Sequence, residues 1–110
     1  AKEEGLDNDA LINEKYQGIR PAPGYPSCPD HRGKLPIWEL LDVEKNIDLS
    51  LTESLAMWPT ASVSGFYFSH PESHYFQLGR VDKDQVEVYS KAREESMDEN
   101  EIWLAPVLGY

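Results

Sequence analysis

Apolar and polar positions change rhythm several times along this chain. Leu6, Ala10, Leu11 and Glu14 recur at helical spacing, which predicts a weakly amphipathic helix from about Asp7 to Lys15. Ile37, Leu40, Leu41 and Glu44 share one helical face with Trp38 beside it. Pro36 suits a first turn and Asn46 a C-terminal stop, so a helix is expected over 36–46. The period then drops to two: Leu49, Leu51, Leu55 and Met57 alternate with small polar residues and predict a strand. After the Pro59-Thr60 turn, Ser62–Ser69 reads as a second strand, with Gly65 permitting a bulge or a close backbone approach. His70–Ser73 turns the chain again, and Tyr75–Leu78 reads as a third strand of an antiparallel meander. Helical signals return at Asp82–Gln85, which has the capping-box shape, and run to Arg93, packing Val86 and Tyr89 with Val88 and Ala92 beside them. Ser96–Glu99 repeats that signal before a short helix carrying Ile102, Trp103 and Leu104, stopped by Pro106. The predicted class is α+β: a small antiparallel meander with flanking helices.

Between the first two helices the rhythm disappears. Gly18–Pro36 holds five prolines and three glycines, a composition that excludes helix and any central strand. Each proline also drives its predecessor into extended backbone. An ordered loop of this kind leaves many peptide groups outside secondary structure, which suits it to cradling a ligand. Prolines 21, 23 and 26 hold the backbone of Arg20–Pro26. Arg20 offers a forked cation for a carboxylate, and Tyr25 an aromatic face with a hydroxyl. Gly24 and Tyr25 break the run that a polyproline-type ligand would need.

Charge narrows the partners. Ten Lys and Arg against twenty Asp and Glu give a net charge of −10, which argues against nucleic acid and against an anionic membrane surface. Cationic or zwitterionic ligands are favoured instead. The longest stretch without Asp, Glu, Lys or Arg, Ser54–Pro71, contains Pro59, Gly65 and five Ser or Thr, so no spanning helix is expected. Cys28 is the single cysteine, which excludes an intramolecular disulfide and fits a reducing, cytoplasmic setting. With 110 residues, a modest core is expected, and some apolar residues are expected to serve a neighbour.

Local chemistry is otherwise sparse. Cys28-Pro-Asp-His31 has a C-x-x-H spacing, and with His70 and His74 it could supply a zinc hydrolase. However, Pro71 prevents the helix that would align those two histidines, and Cys28 is better read as a small buried hydrophobe, so no metal site is expected. There is no phosphate loop, dinucleotide fingerprint or nucleophile elbow.

Three strings are more specific. Arg20–His31 (RPAPGYPSCPDH), Leu51–Tyr67 (LTESLAMWPTASVSGFY) and Trp103–Tyr110 (WLAPVLGY) resemble the C-terminal activation region of cobalamin-dependent methionine synthase, in matching order and spacing from Tyr16 onward. The resemblance implies that residues 1–110 are the C-terminal portion of a longer activation-domain fold. It further implies that they bind S-adenosylmethionine for the reductive methylation of oxidised cobalamin, in an enzyme that methylates homocysteine. By the same resemblance Arg20 contacts the methionyl carboxylate, Ala22 offers backbone groups, and Tyr25, Tyr75 and Phe76 complete the S-adenosylmethionine contacts. Tyr25 and His31 would face the cobalamin of a neighbouring domain, with no catalytic residue in this chain itself. The implied partners are that cobalamin-binding domain, the rest of the activation domain, and a flavodoxin or flavodoxin-like reductase. Two departures stand out: the family usually has Thr-Glu where this chain has Arg32-Gly33, and it uses an acidic residue from the N-terminal part of the domain to hold the ligand's amino group. The alternative reading is a stand-alone docking module that kept the loop without methyl transfer.

Overall fold

A computed structural model describes residues 5–110. Helix α1 (Asn8–Ile12) is capped by the Asp7 side chain, which accepts from the Ala10 amide at 2.8 Å. It is shorter than the spacing predicts. None of its residues is buried and Glu14 turns left-handed (φ 53°), so no packing extends it past Asn13.

The proline loop follows, and it pairs. Ile19 and Phe68 exchange both backbone hydrogen bonds at 2.9 Å, and the Phe66 amide donates to the Pro21 carbonyl at 2.9 Å. The segment expected as the meander's second strand therefore lies against the proline loop. Pro21 lacks an N–H, so the ladder breaks off there and no continuous strand forms. Gly65 has the predicted role: a Cβ there would meet the Pro21 carbonyl oxygen at 2.9 Å.

The helix expected over 36–46 is two: α2 (Lys34–Leu41) and α3 (Val43–Ile47), divided by Asp42 in the left-handed region at φ 45°. Asn46 serves that break, its amide donating to the Leu41 carbonyl at 2.7 Å. The period-two stretch folds on itself as a hairpin, β1 (Ser50–Leu51) against β2 (Met57–Trp58), antiparallel with Leu51 opposite Met57. Thr52 makes the turn: its carbonyl accepts from the Leu55 amide and its hydroxyl from the Ala56 amide. The three-stranded meander is thus corrected to a two-stranded sheet, because alternation marks an exposed and a covered face without naming the pairing partner. Tyr75–Leu78 belongs to no strand.

Helices α4 (Lys83–Arg93) and α5 (Met97–Leu104) stand where predicted. The Gln85 side chain accepts from the Asp82 amide at 2.8 Å, and the Ser96 hydroxyl from the Glu99 amide at 3.3 Å. Val86 and Leu104 are buried between them, whereas Val88 and Ile102 lie on outer faces and are exposed. A Val81–Leu108 bridge returns the C-terminus to the start of α4.

The polar interior joins these helices to the loop. Arg32, 5 % exposed, is held by Asp30 through Nε and Nη2, by the Asn100 side-chain oxygen at 2.6 Å and by Glu95 at 2.6 Å. The Tyr89 hydroxyl donates to Asp30 at 2.7 Å, and the Trp103 ring lies under the Arg32 guanidinium. Burial alone would push the Asp30 carboxyl up, but the hydrogen bonds from Arg32 and Tyr89 and the Arg32 charge hold it below its ordinary value. Arg32 is therefore the keystone between loop and helices.

The apolar core is small: Ile19, Val43, Leu55, Val86 and Leu104. The molecule is a slab of 47 × 36 × 21 Å with a radius of gyration of 16.4 Å. A compact domain of this length would have roughly 13 Å. Leu40, Val63 and Tyr67 are more than four-fifths exposed, so apolar surface lies open on it.

Candidate functional site

The loop and the open edge of the slab enclose a cavity of about 650 Å³. Arg20, Ala22, Tyr25, Tyr75 and Phe76, the five residues singled out for ligand contact, all line it. They come from two segments 55 residues apart in sequence, joined by one hydrogen bond: the Arg20 amide donates to the Tyr75 hydroxyl oxygen at 2.8 Å. That bond leaves the Tyr75 O–H proton free to donate.

The loop's shape is built locally. The Tyr25 amide donates to the Ala22 carbonyl at 3.2 Å, the Cys28 amide to the Tyr25 carbonyl at 2.8 Å and the Gly24 amide to the Cys28 carbonyl at 2.7 Å. Gly24 takes φ +96°, and a Cβ there would lie 2.2 Å from the His31 ring. Glycine is required at that position on both counts. Pro21 and Pro23 are buried, Tyr25 is exposed, and the rigid turn presents its aromatic side chain to the cavity.

The electrostatics divide by residue. Among the described residues the Arg20 guanidinium makes no ion pair. Glu14 lines the same cavity as Arg20. Sequence reasoning missed Glu14 and Ser64 as site residues. Glu14 follows a short helix with no local signature, and its left-handed backbone (φ 53°) is visible only in the fold. The Ser64 hydroxyl is buried in the cavity wall without a hydrogen-bond partner. An unsatisfied buried hydroxyl costs stability unless something completes it.

His31 is not in this cavity. It lines a neighbouring one of about 430 Å³ with Gly24, Trp103 and Pro106, and Tyr25, Pro26 and Gln77 line both. Burial, and then the Lys34 charge, hold His31 below its ordinary pKa. Cys28 is half-buried, and burial raises its thiol pKa, so it remains a protonated thiol. No three metal-ligating side chains cluster among the described residues, and His70 spends its Nδ1 on the Glu72 amide. No described helix is long and apolar enough to cross a membrane.

Arg20, Glu14, exposed aromatic residues and the proline-held turn thus surround one cavity whose size is that of a small-molecule pocket. A family model described as vitamin B12 dependent methionine synthase, activation domain, matches residues 1–94. A crystal structure of the MetH reactivation domain bound to AdoHcy is 60 % identical over 96 % of this chain, with a TM-score of 0.86. The chain belongs to the vitamin B12 dependent methionine synthase activation domain family. It spans about a third of the chain in that crystal structure, 32 % of its length.

Proposed function

We propose that this chain is the C-terminal portion of an activation domain and carries the loop-and-edge half of its S-adenosylmethionine site. The observation that carries the reading is the convergence of Arg20, Ala22, Tyr25, Tyr75 and Phe76 on one cavity, with Arg20 in no ion pair among the described residues. A volume of about 650 Å³ lies within the range of small-molecule sites, roughly 300–1,000 Å³. The ligand's chemistry fits the lining. Arg20 takes the methionyl carboxylate in a two-pronged pair, and Glu14 faces the ammonium and sulfonium charge. Tyr25 and Phe76 offer faces to adenine and Tyr75 a hydroxyl proton. Ser64 supplies a further polar group in the wall.

In the activity proposed for the whole enzyme, S-adenosylmethionine is the methyl donor. Its S–CH3 bond breaks, the bonding pair stays on sulfur, and AdoHcy is left behind. Cobalamin, which a neighbouring domain would hold, would supply the methyl acceptor, and a flavodoxin-type donor would supply the electron. This chain binds and orients the donor: Arg20 anchors one end, and the Tyr25–Pro26 wall separates the ligand cavity from the His31 cavity that faces the cobalamin domain. The remainder of the activation domain covers the open apolar face. A cytoplasmic setting fits that chemistry.

Calorimetric titration of the chain with S-adenosylmethionine and with AdoHcy tests the reading. Saturable one-to-one binding of both at about 1 mM or tighter, near −4 kcal/mol, is expected. Absence of saturation by either ligand would overturn it in favour of a docking module.

A further inference from the structure

His31 and Lys34 form a pair that ligand binding does not use. Lys34 is the first residue of α2 and only 5 % exposed, yet it pairs with no carboxylate among the described residues. A buried ammonium without a carboxylate is costly, so hydrogen bonds must hold it. The Lys34 ammonium donates to the Leu55 carbonyl at 2.8 Å and lies 2.8 Å from His31 Nδ1. An ammonium has donors only, so Nδ1 is the acceptor and the neutral ring carries its proton on Nε2. The residues Lys34 ties together are both conformationally special. Leu55 is buried in the left-handed region at φ 61°, and the His31 ring fills the space that a Cβ on Gly24 would need.

We propose that Lys34 is a positioning residue: it locks His31 as the Nε2–H tautomer, with its ring against Gly24, so that the loop presents a hydrogen-bond donor in the cavity behind Tyr25. The group this donor meets when another domain docks is then an acceptor oxygen; that corollary rests on the functional reading, whereas the tautomer does not. Two charged groups act on the ring. Lys34 disfavours a second proton, and Asp30, one residue back, works in the opposite direction.

Ring-nitrogen NMR of the whole chain, with its histidines labelled with nitrogen-15, tests the lock without any ligand. In the parent protein at neutral pH, His31 should show one pyridine-type Nδ1 and one pyrrole-type Nε2. In Lys34→Met, of similar length and apolar, the two His31 nitrogens should move toward the averaged position and the His31 titration midpoint should rise. A pyrrole-type Nδ1 in the parent overturns the proposal with no variant needed. So does a folded Lys34→Met protein with unchanged His31 signals. Failure to bind S-adenosylmethionine would leave these signals where they are, so the two readings fail separately.

Discussion

Arg20 and Arg32 sit twelve positions apart on one proline-rich segment and have opposite surroundings. Arg32 is buried, and its guanidinium is committed to Asp30, Glu95 and Asn100 over the Trp103 ring. Arg20 is exposed at a cavity edge; its backbone is tied to Tyr75 while its guanidinium has no ion-pair partner among the described residues. A cation whose donors are spent inside the protein stabilises the fold, and one held by its backbone alone is available to a ligand. The same residue type on the same loop is thus committed in one case and uncommitted in the other, according to what its charge already touches.

The strongest way to break the comparison is to remove the keystone. Asp30→Ala leaves Arg32 buried with its main counter-charge gone, and breaking a buried pair in this way costs about 3–5 kcal/mol. Urea unfolding should show a midpoint so low that much of the population is unfolded, whereas Arg20→Ala should stay within roughly 0.5 kcal/mol of the parent. Equal losses in the two variants would erase the distinction.

Next in size is the hinge of the loop. Gly24→Ala must accommodate a left-handed backbone and a Cβ 2.2 Å from the His31 ring. A loss of about 1–3 kcal/mol is expected from the strain. The same unfolding measurement checks it, and a neutral Gly24→Ala would show that the loop is not held as described.

Acidity sharpens the comparison from the keystone side. The Asp30 carboxyl is held below its ordinary value in the folded protein, so its contribution is fully present above the unfolded-state value near 3.9 and is lost as pH falls through the folded one. Unfolding midpoints should therefore drop steeply below about pH 4, and the drop should survive Arg20→Ala unchanged. A drop that vanishes with Arg20 would move the acid-sensitive pair to the wrong arginine.

The smallest effect is expected at the link between the two site segments. Tyr75→Phe removes the acceptor of the Arg20 amide and should cost about 0.5–1.5 kcal/mol in stability. Ligand affinity should fall with it, because the free hydroxyl proton goes too. Unchanged affinity would place Tyr75 outside the site.

What could be read in advance follows the range of the interactions. The capped helices α4 and α5 were legible because a cap is a signal spanning four residues. The ordered Arg20–Tyr25 loop was legible because prolines constrain their own backbone. Asn100 contacting Arg32 across 68 positions has no local trace, and neither does Ser64 in the cavity wall. The hairpin from Ser50 to Trp58 was mistaken for one strand because Thr52 makes its turn through a side chain, with no Gly or Pro to announce it. Asp42 broke the expected helix by turning left-handed, a conformation Asp tolerates but does not require.

The most direct test of the central claim reads both properties on one variant: S-adenosylmethionine affinity by calorimetry and the urea midpoint of Arg20→Ala. A charge-assisted pair contributes roughly 1.5–3 kcal/mol, so binding should weaken about ten- to a hundred-fold while the midpoint hardly moves. Arg20→Lys should recover only part of the affinity, since an ammonium lacks the two-pronged geometry. An Arg20→Ala protein that binds S-adenosylmethionine as tightly as the parent, or that loses binding only in step with its stability, would contradict the assignment of Arg20 to recognition.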